Sequence, residues 1–236
     1  IACMALALYI TQRAAEAERK LVGAAQLAMT LSASGDPLNP KFRPARREIL
    51  RLAGEGIVLN PHYRKITPAI ADELGRWGDW ANATWLWESV LASRPYVVAI
   101  LCNAARGRAS LGQMDQALAY LERARQLQPR AVSVRSLEVT LLAMADQQGP
   151  AMRKAQEALD AGIADQDLVN TYFVLAWRAR DYPLALRMLE RRMTQWPETR
   201  VRGWLQRGAI YALELNQPQR ALEDFRKAMA EAAPQD

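Results

Sequence analysis

Four prolines, Pro61, Pro95, Pro129 and Pro197, are separated by 34, 34 and 68 residues. A unit that recurs every 34 residues is one supersecondary element that cannot bury its apolar face alone and must stack on its neighbours. Each proline falls where a helix has to stop, since it offers no amide donor and disfavours helix in the residue before it. Taking each proline as position 32 puts Ala83, Ala117 and Ala185 at position 20, where small side chains let the second helix of a pair approach the first. Position 24 then holds Trp87, Leu121 and Leu189, large apolar residues four places on along the same helical face. Position 15 gives Gly78 and Gly112 in the turn between the two helices. Asp79 and Asp115 follow near the start of the second helix, where an acid suits the amide donors.

The unit due to end near residue 163 lacks its proline but keeps Ala151, Ala155 and Ala158 in register. A last unit runs one or two residues late, with Ala221, Phe225 and Ala228 at positions 20, 24 and 27 and Pro234 closing it. Over about residues 62 to 234 the chain resembles the tetratricopeptide family. That resemblance implies an all-α, right-handed α-solenoid of about five helix pairs, with residues 46–236 as the repeat domain.

The first ten residues, IACMALALYI, carry no charge, and a membrane span needs about 20 apolar residues. Two readings fit them. They are the end of a truncated transmembrane helix leaving the bilayer at Thr11, Gln12 and Arg13, or a helix packed on the repeats. From residue 11 the helical pattern continues, with Leu21, Ala24, Ala25, Ala28 and Leu31 on one stripe. SASGDPLNPKFRP, residues 32 to 44, then reads as a turn or linker, so residues 11–45 are a connecting helix and Pro-rich linker. Arg46 to Leu59 is expected as the second helix of a degenerate first pair, with the preceding helix as its partner. Lys41, Arg43, Arg46, Arg47 and Arg51 form the densest basic cluster, expected close to the membrane exit. It reads first as a solvated helix N-terminal face, and it also suits anionic headgroups or a phosphorylated lipid-linked substrate.

Half of the residues are hydrophobic and seven are Trp, which excludes a disordered chain. The net charge is +6, but basic and acidic residues alternate on helical faces and no nucleic-acid motif accompanies them, so no nucleic-acid partner is expected. His62 is the single histidine, which excludes any site needing two, and no metal is expected. Cys3 and Cys102 are the only cysteines, and no histidine is placed to activate Cys102. No glycine-rich phosphate loop or G-x-S-x-G pattern is present. The reading is a chain without catalytic residues and without a cofactor.

A stack of helix pairs offers a groove lined by the first helices. In the tetratricopeptide family, positions 2, 5, 9, 12 and 13 face it. Here these are Lys65, Asp72 and Arg76; Cys102, Arg106 and Ser110; Ser133, Ser136 and Thr140; and Asn170, Trp177 and Arg178. This mixture suits an extended peptide or a glycan, with Trp177 as a stacking platform. It departs from the carboxylate clamp of chaperone-binding members.

Trp77, Trp80, Trp85 and Trp87 fall within eleven residues, more than the repeat requires. The block NPHYRKITPAIADELGRWGDWANATWLWESVLASRPYVVAI, with NAARG, AYLERARQLQP and DLVNTYFVLAWRARDY after it, resembles the C-terminal domain of bacterial Wzy-type O-antigen polymerases and ligases, in the O-oligosaccharyltransferase branch. That resemblance implies a non-catalytic domain on the periplasmic face of the bacterial inner membrane. It would bind or orient an acceptor protein or glycan beside the upstream membrane part of the same polypeptide. His62, Tyr63, Arg64 and Lys65 lie in its matched motif. The alternative is a membrane-anchored or soluble tetratricopeptide scaffold for protein–protein interaction, unconnected with glycosylation.

Overall fold

The computed structural model describes residues 2–60 and 65–232, and these form twelve α-helices with no strand among them. The helices make two compact units, Ile1–Pro129 and Arg130–Asp236. In the first, α1 (Ala2–Ala33) pairs with α2 (Arg43–Leu59), α3 (Thr67–Arg76) with α4 (Trp80–Leu91), and α5 (Val98–Ser110) with α6 (Met114–Leu127). In the second, α7 (Val132–Met144) pairs with α8 (Gln148–Asp160), α9 (Gln166–Arg178) with α10 (Tyr182–Gln195), and α11 (Arg200–Ala209) with α12 (Pro218–Ala232). This is the all-α helix-pair architecture of tetratricopeptide repeats that the proline spacing predicts.

The period is visible in the backbone. Helices α5, α7, α9 and α11 begin at residues 98, 132, 166 and 200, 34 apart. The turn after each first helix passes through the left-handed region at Gly78, Gly112, Asp146 and Arg180, again 34 apart. There the next amide closes the helix by reaching back five residues, Asp79 N–H to Leu74 O, Gln113 to Arg108, Gln147 to Leu142 and Asp181 to Ala176, at 2.8 to 2.9 Å. Glycine enters this conformation without the Cβ clash that penalises other residues, so the first two turns are unstrained and the next two are not. Where the 163 proline is missing, Gly162 at φ 72° and the Ile163 N–H to Ala158 O bond stop α8 instead.

The expected small residues at position 20 are all shut away from solvent, Ala83, Ala117 and Ala185 at 0% exposure. Around them Leu74, Leu86, Trp87 and Leu101 fill the first unit, and Leu168, Phe173, Leu175 and Leu189 the second. Each such buried Leu stabilises the fold by about 2 kcal/mol relative to exposure.

α1 is one continuous helix of 32 residues, and its stripe Ala17, Leu21, Ala24, Ala28 and Leu31 is buried. Gly56 of α2 is the close-approach point, since a Cβ there would strike Leu21. Lys20 Nζ lies 2.7 Å from Glu55, and Arg13 Nε donates to the Leu59 carbonyl at 3.3 Å, so α2 runs back along α1 and ends near Arg13. No described helix is long and apolar enough to cross a membrane. One expectation changes with the pairing of α1 and α2. The basic cluster lies not beside the apolar first turns but near the opposite end of α1, about 30 Å away by helix length. There Arg46 donates to the Pro37 and Asn39 carbonyls, while Arg51, nearer the middle of α1, pairs with Glu48 and Glu55.

Candidate functional site

Each unit has a cleft walled by its first helices. In the first unit a cleft of about 490 Å³ is lined by Asp72, Gly75, Arg76, Trp80, Trp87, Asn103 and Arg106. Gly75 keeps it open, because a Cβ there would lie 3.0 Å from the Trp87 ring. Asp72 sits at position 9 of its repeat, on α3, and its Oδ1 accepts from Trp87 Nε1 at 3.0 Å and from Asn103 Nδ2 at 3.2 Å. The packing around the carboxyl raises its pKa, and the Trp87 hydrogen bond and Arg76 offset this only in part. Arg76 itself pairs with Glu73 on the same helix.

In the second unit a cleft of about 380 Å³ is lined by Gln166, Asp167, Asn170, Arg192, Glu198, Thr199 and Arg202. Asp165 caps α9 by accepting from Leu168 N–H at 2.7 Å, which fixes Asn170 one turn in. Arg192 reaches the cleft from α10 and is only 2% exposed. Its Nη1 donates to Asn170 Oδ1 at 2.7 Å, its Nη2 donates to Gln206 Oε1 of α11, and its Nε has no hydrogen-bond partner. The guanidinium also lies 5.7 Å from the Phe173 ring centroid. Burial, with Arg202 nearby, lowers its pKa, yet a guanidinium stays charged at neutral pH. Phe173 in turn stacks on Trp177, with centroids 6.2 Å apart and planes at 15°.

The structure distributes the expected groove residues unevenly. Lys65, Asp72, Arg76, Ser110, Ser133, Trp177 and Arg178 are exposed; Arg106, Thr140 and Asn170 are half-buried. Cys102 and Ser136, both at position 5, are buried at 5% and 1% exposure and present no side chain to a ligand. In α5 and α7 that position turns inward because Leu101, Ala105, Leu137 and Val139 draw the adjoining face into the core, whereas Asn170, at the same position of α9, stays half-buried at its cleft. Within the first unit Asp72, Arg76 and Arg106 share one cleft. Within the second, only Asn170 of the expected residues lines the cleft. His62, Tyr63 and Arg64 lie outside the described residues.

Sequence reasoning missed Arg192, Trp80, Asn103, Gln206 and Arg202. Arg192 carried a legible signal. It stands at position 27, where the other repeats hold Val90, Ala124, Ala158 and, in the late last repeat, Ala228.

No family model and no curated protein matches this chain. Solved structures do. A tetratricopeptide repeat protein from Parabacteroides merdae is similar with a TM-score of 0.63 and 18% identity, covering 95% of this chain and 95% of that one. A thermophilic TPR protein of Thermus thermophilus is similar with a TM-score of 0.57 and 16% identity, covering 87% and 99%. The Cut9-Hcn1 hetero-tetramer of the APC/C gives a TM-score of 0.60 at 13% identity, covering 79% of this chain and 36% of that one. These similarities correct the glycan-ligase resemblance. Within the tryptophan block Trp77 and Trp87 are core, at 8% and 3% exposure, Trp80 lines the cleft and Trp85 lies on the surface, all within a tetratricopeptide fold, and no O-antigen polymerase or ligase model matches it. At these identities the likeness is one of architecture, and the chain has the fold of the tetratricopeptide-repeat proteins.

Proposed function

We propose that this chain is a non-catalytic scaffold that docks a protein partner along the first helices of its repeats. The observation that carries the reading is the chemistry of those helices. Trp177 and Arg178 stay in solvent on a helix whose other face is packed, and Asp72 and Arg76, although tied to Trp87, Asn103 and Glu73, also face outward from their helix. The shared architecture supports it, since Cut9 is described in complex with Hcn1.

The test is a photo-crosslinking amino acid placed at Trp177, at Arg106 and, as a control, at the exposed Arg226 of α12. A defined protein cross-linked from the first two sites and not from the third, and bound by the purified chain but not by Trp177→Ala, is the expected result. Equal adducts from all three sites, or none, would overturn the reading.

A second reading, that the scaffold is held at a lipid bilayer, is favoured by α1. Met4, Leu6, Leu8, Tyr9 and Ile10 are each more than half exposed around the helix. The eight residues from Cys3 to Ile10 reach about 12 Å, less than half of a bilayer core. Co-sedimentation with phosphatidylcholine vesicles, lost when Leu6 and Ile10 become Ser, is the expected behaviour; sedimentation indifferent to those changes would sink it.

A further inference from the structure

Three arginines are packed between helices, and two of them have a carboxylate. Arg108 donates through Nε and Nη2 to both oxygens of Glu88 at 2.7 and 2.5 Å. Arg207 does the same to Asp224 at 2.7 and 2.7 Å. Arg192 is the most deeply buried of the three, yet it meets only neutral amide oxygens and an aromatic face. Among the described residues no carboxylate comes within the 4.0 Å of an ion pair. A guanidinium withdrawn from water without a counter-ion is strongly unfavourable. The fold does not require it, because the same position is alanine in three other repeats. A charge kept where the scaffold accepts a methyl group points to a ligand.

We propose that the cleft around Arg192 is a carboxylate-binding subsite that takes an Asp or Glu side chain of the docked protein. The proposal rests on the scaffold reading and names the chemistry of its partner. The guanidinium fork matches a planar carboxylate, and Asn170, whose oxygen is engaged by Arg192, retains its amide hydrogens as further donors. The charge of the cleft favours a monoanion over a phosphate. Asp167 and Glu198 on the same walls lie beyond ion-pair distance of Arg192 and, with Arg202, leave the cleft no excess positive charge, so a dianion would be repelled about twice as strongly as a single carboxylate. The row from guanidinium through Phe173 to the exposed indole of Trp177 places an aromatic reporter two rings from the site.

The probes are acetyl-Ala-Glu-Ala-amide, acetyl-Ala-Gln-Ala-amide, acetyl-Ala-Ala-Ala with a free C-terminus, and inorganic phosphate. Each is titrated into the whole chain and followed by amide and indole resonances. Saturable shifts at Asn170, Thr199 and Arg202, with the glutamate peptide at least tenfold tighter than the glutamine peptide, assign the site to an acidic side chain. A free C-terminus that binds more tightly than the glutamate peptide assigns the cleft to a chain end and overturns the proposal. Equal binding of the peptides, tighter binding of phosphate, or no saturable shift overturns the proposal. Arg192→Met, whose shape fills the same space, should abolish the preference in a folded protein, and a retained preference overturns the proposal too. The comparison of peptides on the wild type needs no variant. If cross-linking to a protein partner survives while the peptides fail, the subsite falls and the scaffold reading stands. If the glutamate peptide binds while no partner is captured, the reverse holds.

Discussion

The first unit obeys the repeat's chemistry and the second departs from it. Residues 1–129 turn at Gly78 and Gly112, and the guanidinium of Arg108 is matched by Glu88 and backed by Tyr120. Residues 130–236 make the same turns with Asp146 and Arg180 and a wider last one with Asn216, all at positive φ, and bury Arg192 without a counter-ion. The two clefts also invert their polarity. One is centred on a carboxylate held by donors, Trp87 and Asn103, and the other on a guanidinium held by acceptors, Asn170 and Gln206. One backbone plan therefore tolerates opposite chemistry, provided that the small residues at the helix contacts are kept.

The largest effect should come from breaking a matched arginine. Glu88→Ala leaves Arg108 and the Tyr120 hydroxyl without their acceptor and should destabilise the chain by about 2 kcal/mol in urea unfolding. An equal loss for Arg192→Met would erase the contrast. That change exchanges an uncompensated charge for an apolar side chain of similar length and should stabilise by about 1 kcal/mol. The turns give a matched pair of smaller effects. Gly112→Ala should cost about 1 kcal/mol, and Arg180→Gly should gain up to about 1 kcal/mol, because φ is 76° and 58° at these positions. If both changes destabilise, the second unit's turns are not strained.

The smallest effect is a pH dependence. Asp72 has a raised native pKa, so the folded chain binds a proton more readily than the unfolded one. Its carboxylate therefore opposes folding at neutral pH, and the penalty is relieved as pH falls through the native pKa, levelling off below about 3.9. Stability of the wild type relative to Asp72→Asn should rise over that window. A ratio flat with pH would show that water screens the cleft fully.

How much of this was legible follows from the kind of signal. Proline spacing and the alanines at position 20 foretold the helix pairs, since helix ends and close contacts are dictated by single residues. The position-9 residue Asp72 was also readable, because first-helix positions map to one face. Cys102 and Ser136 were placed wrongly on an open face, since small residues fit a core as readily as a surface. Arg192 escaped because its chemistry depends on Asn170 and Gln206, 22 residues before and 14 after it, and on what the neighbouring helices fail to supply. The tryptophan block misled because indoles that fill a tetratricopeptide core look, in one dimension, like another family's motif.

The last repeat shows how such a chain can change length. Its first helix has ten α-helical residues followed by five of π-helix, Ile210–Glu214, where the other first helices of the second unit have thirteen α-helical residues. Its closing bond, Gln217 N–H to Tyr211 O at 2.7 Å, spans six residues where the earlier turns span five, and the left-handed residue arrives at Asn216, 36 after Arg180. Yet Ala221 and Ala228 still reach the core at 2% exposure. A widened final turn thus acts as a phase corrector: extra residues are taken up within one coil of backbone, and the helix that follows docks as though nothing had been added.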